Sequence, residues 1–372
     1  MTPDDFRFTA AGRFAGGAEV LGLGLLGSGN VHETYRVRVA GGSDFILQRL
    51  NARVFARPEL VLRNMRVVTD HLLRRLERAP LPRGRRWEVP ALIESREGGD
   101  FWLDPSGAFW RALRLVPGRS YDTVEGVALA REIGWALGTF HTLVADLPVE
   151  SLADTLRGFH VTPSYLRRYD EVLSLRKPER ARSDVRHCLR FIEERRGRAS
   201  VLEDARRGGG LRLRPIHGDP KVNNVMVDEA TGRAVGLVDL DTVKPGLLHY
   251  DLGDCLRSAC NELGEEAQNW KDVRFDLDLC RALLTGYMSA ARSTLAEADY
   301  EYVYDAVRLI AFELGLRFFT DHLEGDVYFR TRRPGHNLAR ALVQFRLTES
   351  VEAKESEIRS LVEELKRSPA EA

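Results

Sequence analysis

Little in this sequence could cross a bilayer, staple a secreted domain or grip a nucleic acid. No apolar run approaches the length of a membrane span. The four cysteines, Cys188, Cys255, Cys260 and Cys280, form no C-x-x-C pair and show no extracellular spacing. Reduced, partly buried thiols are therefore expected, not disulfides or a zinc site. Neither sign of charge is in excess, with Lys+Arg and Asp+Glu both at 55, so nothing asks for nucleic acid or an anionic membrane as partner. The first residues, M-T-P-D-D-F-R-F, carry two acids and no apolar core, unlike a secretory leader. The expected location is the cytoplasm.

What is present is an ordinary globular composition, 44% hydrophobic and 30% charged, in a chain of 372 residues. That is too long for one small core, and two lobes are expected. Residues 1–20 read as a helix or arm. Leu21 to Val39 reads as a strand, a tight turn and a second strand, and Asp44 to Leu50 as a third. From Pro58 to about Glu77, Leu62, Met65, Val68 and Leu72 recur at a helical period. Strands are expected around Val89–Glu94, Phe101–Leu103 and Phe109–Val116, the last stopping at Pro117-Gly118. Beyond it the pattern turns helical: Ala130, Ile133, Leu137, Phe140 and Val144 step by 3 and 4, and helices follow around 163–174, 184–206, 272–292, 299–323 and 337–366. The last of these is charged enough in its final turns to be read as solvated. The fold expected is α+β and bilobal, like a protein kinase: a small antiparallel β lobe (1–116) with one main helix, a hinge near 114–118, and a larger, mostly helical lobe (119–372).

The chemistry concentrates between Ile216 and Asp254. His217-Gly218-Asp219-Pro220-Lys221-Val222-Asn223-Asn224 has the form H-G-D-x-K-x-x-N. Phosphoryl transfer needs a carboxylate to orient the attacking hydroxyl and take its proton, which Asp219 could supply. It also needs a cation over the transferred group, for which Lys221 is placed, and oxygen ligands for magnesium, which Asn224 suits. Protein kinases use H-R-D-x-x-x-x-N with the same Asp-to-Asn interval. Val238-Asp239-Leu240-Asp241 then ends an apolar strand that a short turn pairs with Val225–Val227, bringing Asn224 and Asp239 to neighbouring strand ends as a magnesium pair. Asp241 is expected to help the metal or the acceptor.

Other candidates are more distant. Gly27, Ser28 and Gly29 lie in a turn between two strands, where a kinase covers the nucleotide phosphates; a plain hairpin explains them equally well. His32 either faces the acceptor or is a structural histidine. Where a kinase carries V-A-I-K, this chain has Ile46-Leu47-Gln48-Arg49. Gln48 falls in register with the missing lysine and Arg49 on the opposite face, so either could serve the phosphates. The backbone of Arg114 to Val116 is expected to receive adenine. On the helix near 299–323, Arg317 and Asp321 share the arc of Val303, Val307, Ile310 and Leu314, with Glu313 at its edge. They are either a Glu313–Arg317–Asp321 ladder or the lining of an acceptor pocket. Asp254 and Arg257 are read as braces for the catalytic loop.

The stretches H-G-D-P-K-V-N-N, V-D-L-D-T-V-K-P-G and D-L-G-D-C-L-R resemble the aminoglycoside phosphotransferase/choline kinase superfamily. Within it, G-S-G-N-V-H-E-T-Y, I-L-Q-R-L-N-A-R-V-F and R-F-F-T-D-H-L-E-G-D-V-Y-F-R are most similar to N-acetylhexosamine 1-kinases, across roughly residues 21–347. The resemblance implies ATP and Mg2+ as cofactors and a sugar hydroxyl, the anomeric one, as acceptor. A related kinase of aminoglycosides, choline, methylthioribose or homoserine, or a nucleotide-binding pseudokinase, are the alternatives.

Overall fold

The computed structural model describes residues 6–26, 32–52, 54–176, 178 and 182–368. Helix α1 (Phe6–Phe14) precedes strands β1 (Val20–Leu25), β2 (Glu33–Val39) and β3 (Phe45–Arg49), helix α2 (Pro58–Arg78), and strands β4 (Leu92–Ile93), β5 (Trp102–Leu103) and β6 (Phe109–Arg114). These strands make one antiparallel sheet, ordered β1-β2-β3-β6-β4 with β5 also on β6. In β2 the alternation E-T-Y-R-V-R-V turns Tyr35 and Val37 inward, against Ala10, Ala11 and Phe14 of α1. The periodic residues of α2, Leu62, Met65, Val68 and Leu72, are all buried. The strand expected at 89–94 is shortened, because Glu88 N–H bonds Val235 O (2.7 Å) and Ala91 N–H bonds Val89 O (2.8 Å).

The larger part holds α3 (Val127–Leu143), α4 (Thr162–Leu175), α5 (Ser183–Arg195), α6 (Val201–Arg207), the short strands β7 (Arg214–Ile216), β8 (Val225–Val227), β9 (Ala234–Leu237) and β10 (Lys244–Gly246), then α7 (Leu248–Ala259), α8 (Leu277–Ala291), α9 (Glu297–Glu301), α10 (Val303–Glu324), α11 (His336–Glu352) and α12 (Glu355–Arg367). β8 pairs with β9, as the turn between them predicts, and β7 pairs with β10, which sequence reasoning missed. α3 and α8 approach so closely that a Cβ on Gly134 would meet Leu283 O at 1.9 Å, and one on Gly286 would meet Arg131 O at 1.9 Å.

Three long helical patterns prove to be broken. A single turn of tighter helix at Arg196–Arg198 separates α5 from α6, Tyr302 separates α9 from α10, and residues 353–354 separate α11 from α12. α12 is not simply solvated: Ile358, Leu361, Val362 and Leu365 are buried. α10 is buried nearly all round because α4, α7 and α11 pack against it. All four cysteines are free and buried. Among the described residues no helix is long and apolar enough to cross a membrane.

One hydrophobic core runs unbroken from β3 and α2, through Trp87 and Leu113, to α3 and α8. Where the chain leaves the sheet, Arg119 and Val227 exchange both backbone hydrogen bonds (2.8 and 2.9 Å). A Cβ on Gly118, at φ 138°, would meet Val227 O at 2.7 Å. Only glycine fits where the connection touches β8.

Candidate active site

The loop 217–221 follows β7, and its polar groups are fixed from several sides. The backbone N–H groups of His217 and Gly218 donate to Asp251 Oδ2 and Oδ1 (2.7 and 2.8 Å). Asp251, in the first turn of α7, is held in turn by His141 Nε2 (2.9 Å), whose other ring nitrogen meets Tyr287 Oη (2.9 Å). His217 Nε2 reaches Val238 O at 3.0 Å and so ties this loop to the strand carrying Asp239. His160 Nε2 donates to Gly218 O (2.8 Å), while its Nδ1 faces Glu313 Oε1 (3.0 Å). Burial alone would lower the pKa of His160, but Glu313 overcomes it and raises the value.

On this support Asp219 and Lys221 form a pair at 2.8 Å. Burial pushes the Asp219 carboxyl up, and the Lys221 charge more than reverses it, leaving the group ionised below its ordinary range. For Lys221, burial opposes the charge, but Asp219 and then Asp239 raise its pKa, so it stays a cation. Asn224 donates through Nδ2 to Asp219 O (2.7 Å), which leaves its Oδ1 without a partner among the described residues. Val238 N–H bonds Asn224 O (2.9 Å), so Asn224 and Asp239 do end neighbouring strands.

Asp239 holds a left-handed backbone (φ 64°, ψ 55°), a strained state for a residue with a Cβ. The residue is exposed, and its carboxylate has no hydrogen-bond partner among the described residues. Enclosure by the protein, then Asp241 and Asp219, push its pKa up. A surplus of negative charge beside the free oxygen of Asn224 fits a divalent cation. Among the described residues no group of three His, Cys, Asp or Glu forms a metal centre by itself. Two protein oxygens completed by nucleotide phosphates are consistent with that.

Several expected ligands are engaged elsewhere. Asp241 is 2% exposed, with both carboxylate oxygens bonded inside the protein. Arg111 Nη2 donates to its Oδ2 at 2.8 Å, Nη1 donates to its Oδ1, and His32 Nε2 meets Oδ2 at 2.6 Å. Burial would raise the Asp241 pKa, but Arg111 and His32 hold it well below the carboxylate range. His32 is likewise taken up: Asn51 N–H donates to its Nδ1 (3.1 Å), and its ring stacks on Phe55 at 5.6 Å. Gln48 accepts from Arg111 Nε and Nη2 (2.9 and 2.7 Å) and donates to Thr34 (3.1 Å). Arg49 pairs with Glu33 across the sheet (3.1 Å). Both side chains are thus engaged within the sheet. Arg114 N–H is spent on Ala91 O (2.8 Å), and Val116 is buried on the connection between the lobes. Gly27, Ser28 and Gly29 lie outside the described residues.

Arg111 itself escaped sequence reasoning, although a charged residue inside the apolar strand F-W-R-A-L-R was the available signal. It stands opposite Gln48 in the sheet, so the β lobe does carry a buried cation. That cation grips Asp241, just beyond the strand end at Asp239.

Asp219 and Lys221 also line a cavity of about 220 Å³ between Val54-Phe55, the loop at Phe159-His160, α7, α10 and the segment Tyr328–Arg330. Arg317 projects into it. Its guanidinium lies 4.9 Å from the Tyr165 ring, 5.2 Å from Phe159 and 5.5 Å from Phe329. Among the described residues it has no hydrogen bond or ion pair. No Glu313–Arg317–Asp321 ladder exists, since Glu313 is bound by His160 and Thr162. Asp321 does not line the cavity. It accepts the backbone N–H groups of Val327, Tyr328 and Phe329 (3.0, 2.8 and 2.9 Å) and Asn337 Nδ2 (2.8 Å), and so fixes the segment that covers it. Helical spacing placed Asp321 on the right face, but could not show the loop that folds back onto it.

The description "Phosphotransferase enzyme family" matches residues 23–292 of the chain. The fold is also similar to three solved structures. An amicoumacin kinase in complex with AMP-PNP, Ca2+ and Ami shares 17% identity, with 95% of this chain and 94% of that one covered and a TM-score of 0.60. An aminoglycoside phosphotransferase from Alicyclobacillus acidocaldarius shares 15%, with 98% and 97% covered and a TM-score of 0.58. A choline kinase from Cryptosporidium parvum shares 13%, with 92% and 91% covered and a TM-score of 0.58. At such identities the likeness is one of fold.

Proposed function

The chain belongs to the phosphotransferase enzyme family, and from that premise we propose an ATP-dependent kinase of a small sugar, acting on the 1-hydroxyl of an N-acetylhexosamine. We place its nucleotide lobe at 1–116 and its catalytic and acceptor lobe at 119–372. The observation that carries this reading is the cavity in which Asp219 and the unpaired Arg317 meet. The three-ring box that would suit a quaternary ammonium already holds the guanidinium of Arg317. A polycationic acceptor would want an acidic cleft, whereas Asp254, Glu265 and Glu313 share these walls with Arg257, Arg317 and Arg340. A neutral polyol matches such mixed walls.

In this mechanism Asp219 accepts a hydrogen bond from the attacking hydroxyl, fixes its lone pair on the terminal phosphorus and takes its proton as the new O–P bond forms and the bridging P–O bond to the departing ADP breaks. Lys221, 2.8 Å from Asp219, balances charge on the transferred group and keeps Asp219 ionised until then. Asn224 Oδ1 and Asp239 would hold Mg2+, which would supply charge neutralisation at the nucleotide's phosphate oxygens. Arg317 donates to an acceptor oxygen and orients the ring. Asp321 acts one step back by holding Tyr328 and Phe329 in place.

A screen of free sugars and amino-alcohols with ATP and Mg2+, following ADP release, tests the acceptor. Turnover of N-acetylhexosamines is expected; turnover of choline, homoserine or an aminoglycoside with every sugar inert would overturn the assignment. Asp219→Asn is expected to abolish turnover with an unchanged thermal transition, and retained activity would remove the base.

A further inference from the structure

We propose that Asp254 is an acceptor-recognition residue, its free carboxylate oxygen taking a hydrogen bond from a second hydroxyl of the acceptor. This rests on reading the cavity beside Asp219 as the acceptor site. Asp251, Asp254 and Arg257 follow one another at intervals of three along α7, on the face turned to the catalytic loop. Asp251 spends both oxygens on that loop. Asp254 does not. Arg257 donates both Nε (3.0 Å) and Nη2 (2.6 Å) to the same oxygen, Oδ1, while its Nη1 is drawn to Glu265. A side-on fork would divide its donors between the two carboxylate oxygens; here Glu265 turns the guanidinium, and Oδ2 is left out.

That oxygen is buried and has no partner among the described residues, on a residue that is 4% exposed and lines the cavity. Bracing Arg257 needs Oδ1 alone, so a purely structural role leaves Oδ2 unexplained. Buried carboxylate oxygens without donors are costly and uncommon. A donor arriving with the substrate removes the deficit, and that makes the residue discriminating: an analogue lacking the donor leaves the oxygen bare again. Arg317, which lines the same cavity, disfavours an ammonium there, so the partner is a neutral hydroxyl. Burial pushes the Asp254 carboxyl up and Asp219 adds to the rise, with Arg257 opposing.

The test pairs Asp254→Asn with N-acetylglucosamine and its 3-, 4- and 6-deoxy analogues. For the wild-type enzyme, one deoxy analogue is expected to lose about 100-fold or more in kcat/KM. In Asp254→Asn the parent sugar should lose a similar factor, chiefly in acceptor KM, with the KM for ATP unmoved. The same deoxy analogue should then fare as well as the parent. Equal deoxy penalties in both proteins, or parallel loss toward ATP and acceptor, would overturn the assignment. If Asp254→Asn does not fold, the wild-type series still decides: no penalty above about 3-fold at any position refutes a buried hydroxyl contact. Failure of the sugar reading shows separately, as wild-type enzyme inert toward every sugar in the screen, and the deletion series is then made on the alcohol that is turned over.

Discussion

Among single side chains, Arg317 has the least conventional setting. Its guanidinium lies over three rings and lines the cavity, so an ordering cost is met before any acceptor binds. Lysine cannot reproduce that, because a point charge on a flexible stem neither stacks nor forks. Arg317→Lys is expected to raise the acceptor KM roughly 10- to 100-fold, the factor corresponding to about 1.5–3 kcal/mol for a hydrogen bond to a charged group. The KM for ATP should stay within about 2-fold; a rise in both, or a lowered thermal midpoint with acceptor KM intact, would make Arg317 a structural residue. Residues of this kind divide sharply in legibility. Asp219, Lys221 and Asn224 were readable because their partners lie within five positions in the chain. His160 and Arg111 were not, since their partners lie 58 and 130 positions away.

Between elements, the bridge from β6 to the strand end at Asp239 decides how the two lobes register. Arg111 reaches Asp241 across the cleft, His32 closes the carboxylate from above, and Gln48 holds the guanidinium in place. Removing only the cation would strand a buried carboxylate. Arg111→Met should therefore cost about 3–5 kcal/mol in urea unfolding. Arg111→Met combined with Asp241→Leu should recover most of that, because both buried charges are gone. An additive double variant would show that the two residues are not one unit. The elements were only partly readable in advance. Hydrophobic period located α2, α3 and the β8–β9 hairpin, whose apolar faces are set by their own residues. It ran α5 into α6, α9 into α10 and α11 into α12, because a break of one to five residues hardly disturbs a helical period. It missed β7 and β10 because their pairing is long-range.

At the scale of the whole molecule, the core that crosses from sheet to helices predicts one cooperative unfolding transition, against which pH effects can be measured. Two buried histidines push that transition in opposite directions. His249 donates Nε2–H to Asp299 O (3.0 Å), its Nδ1 has no partner among the described residues, and burial lowers its pKa to about 4. In the unfolded chain it titrates near 6.5, so as pH falls below that value the unfolded state takes up a proton that the folded state refuses. The stability it contributes, on the order of 3 kcal/mol, is present above pH ~6.5 and lost progressively toward pH ~4. His160 has the reverse sign: its raised pKa gives stability that is complete below pH ~6.5 and disappears as pH rises through the folded value. His249→Gln, which keeps a donor for Asp299 O, should flatten the acid side of the urea-midpoint profile between pH 7 and 5, while His160→Gln should flatten the side above pH 6.5. An acid side as steep in His249→Gln as in the wild type would remove the histidine from the account and leave the carboxylates around Asp219 to explain it.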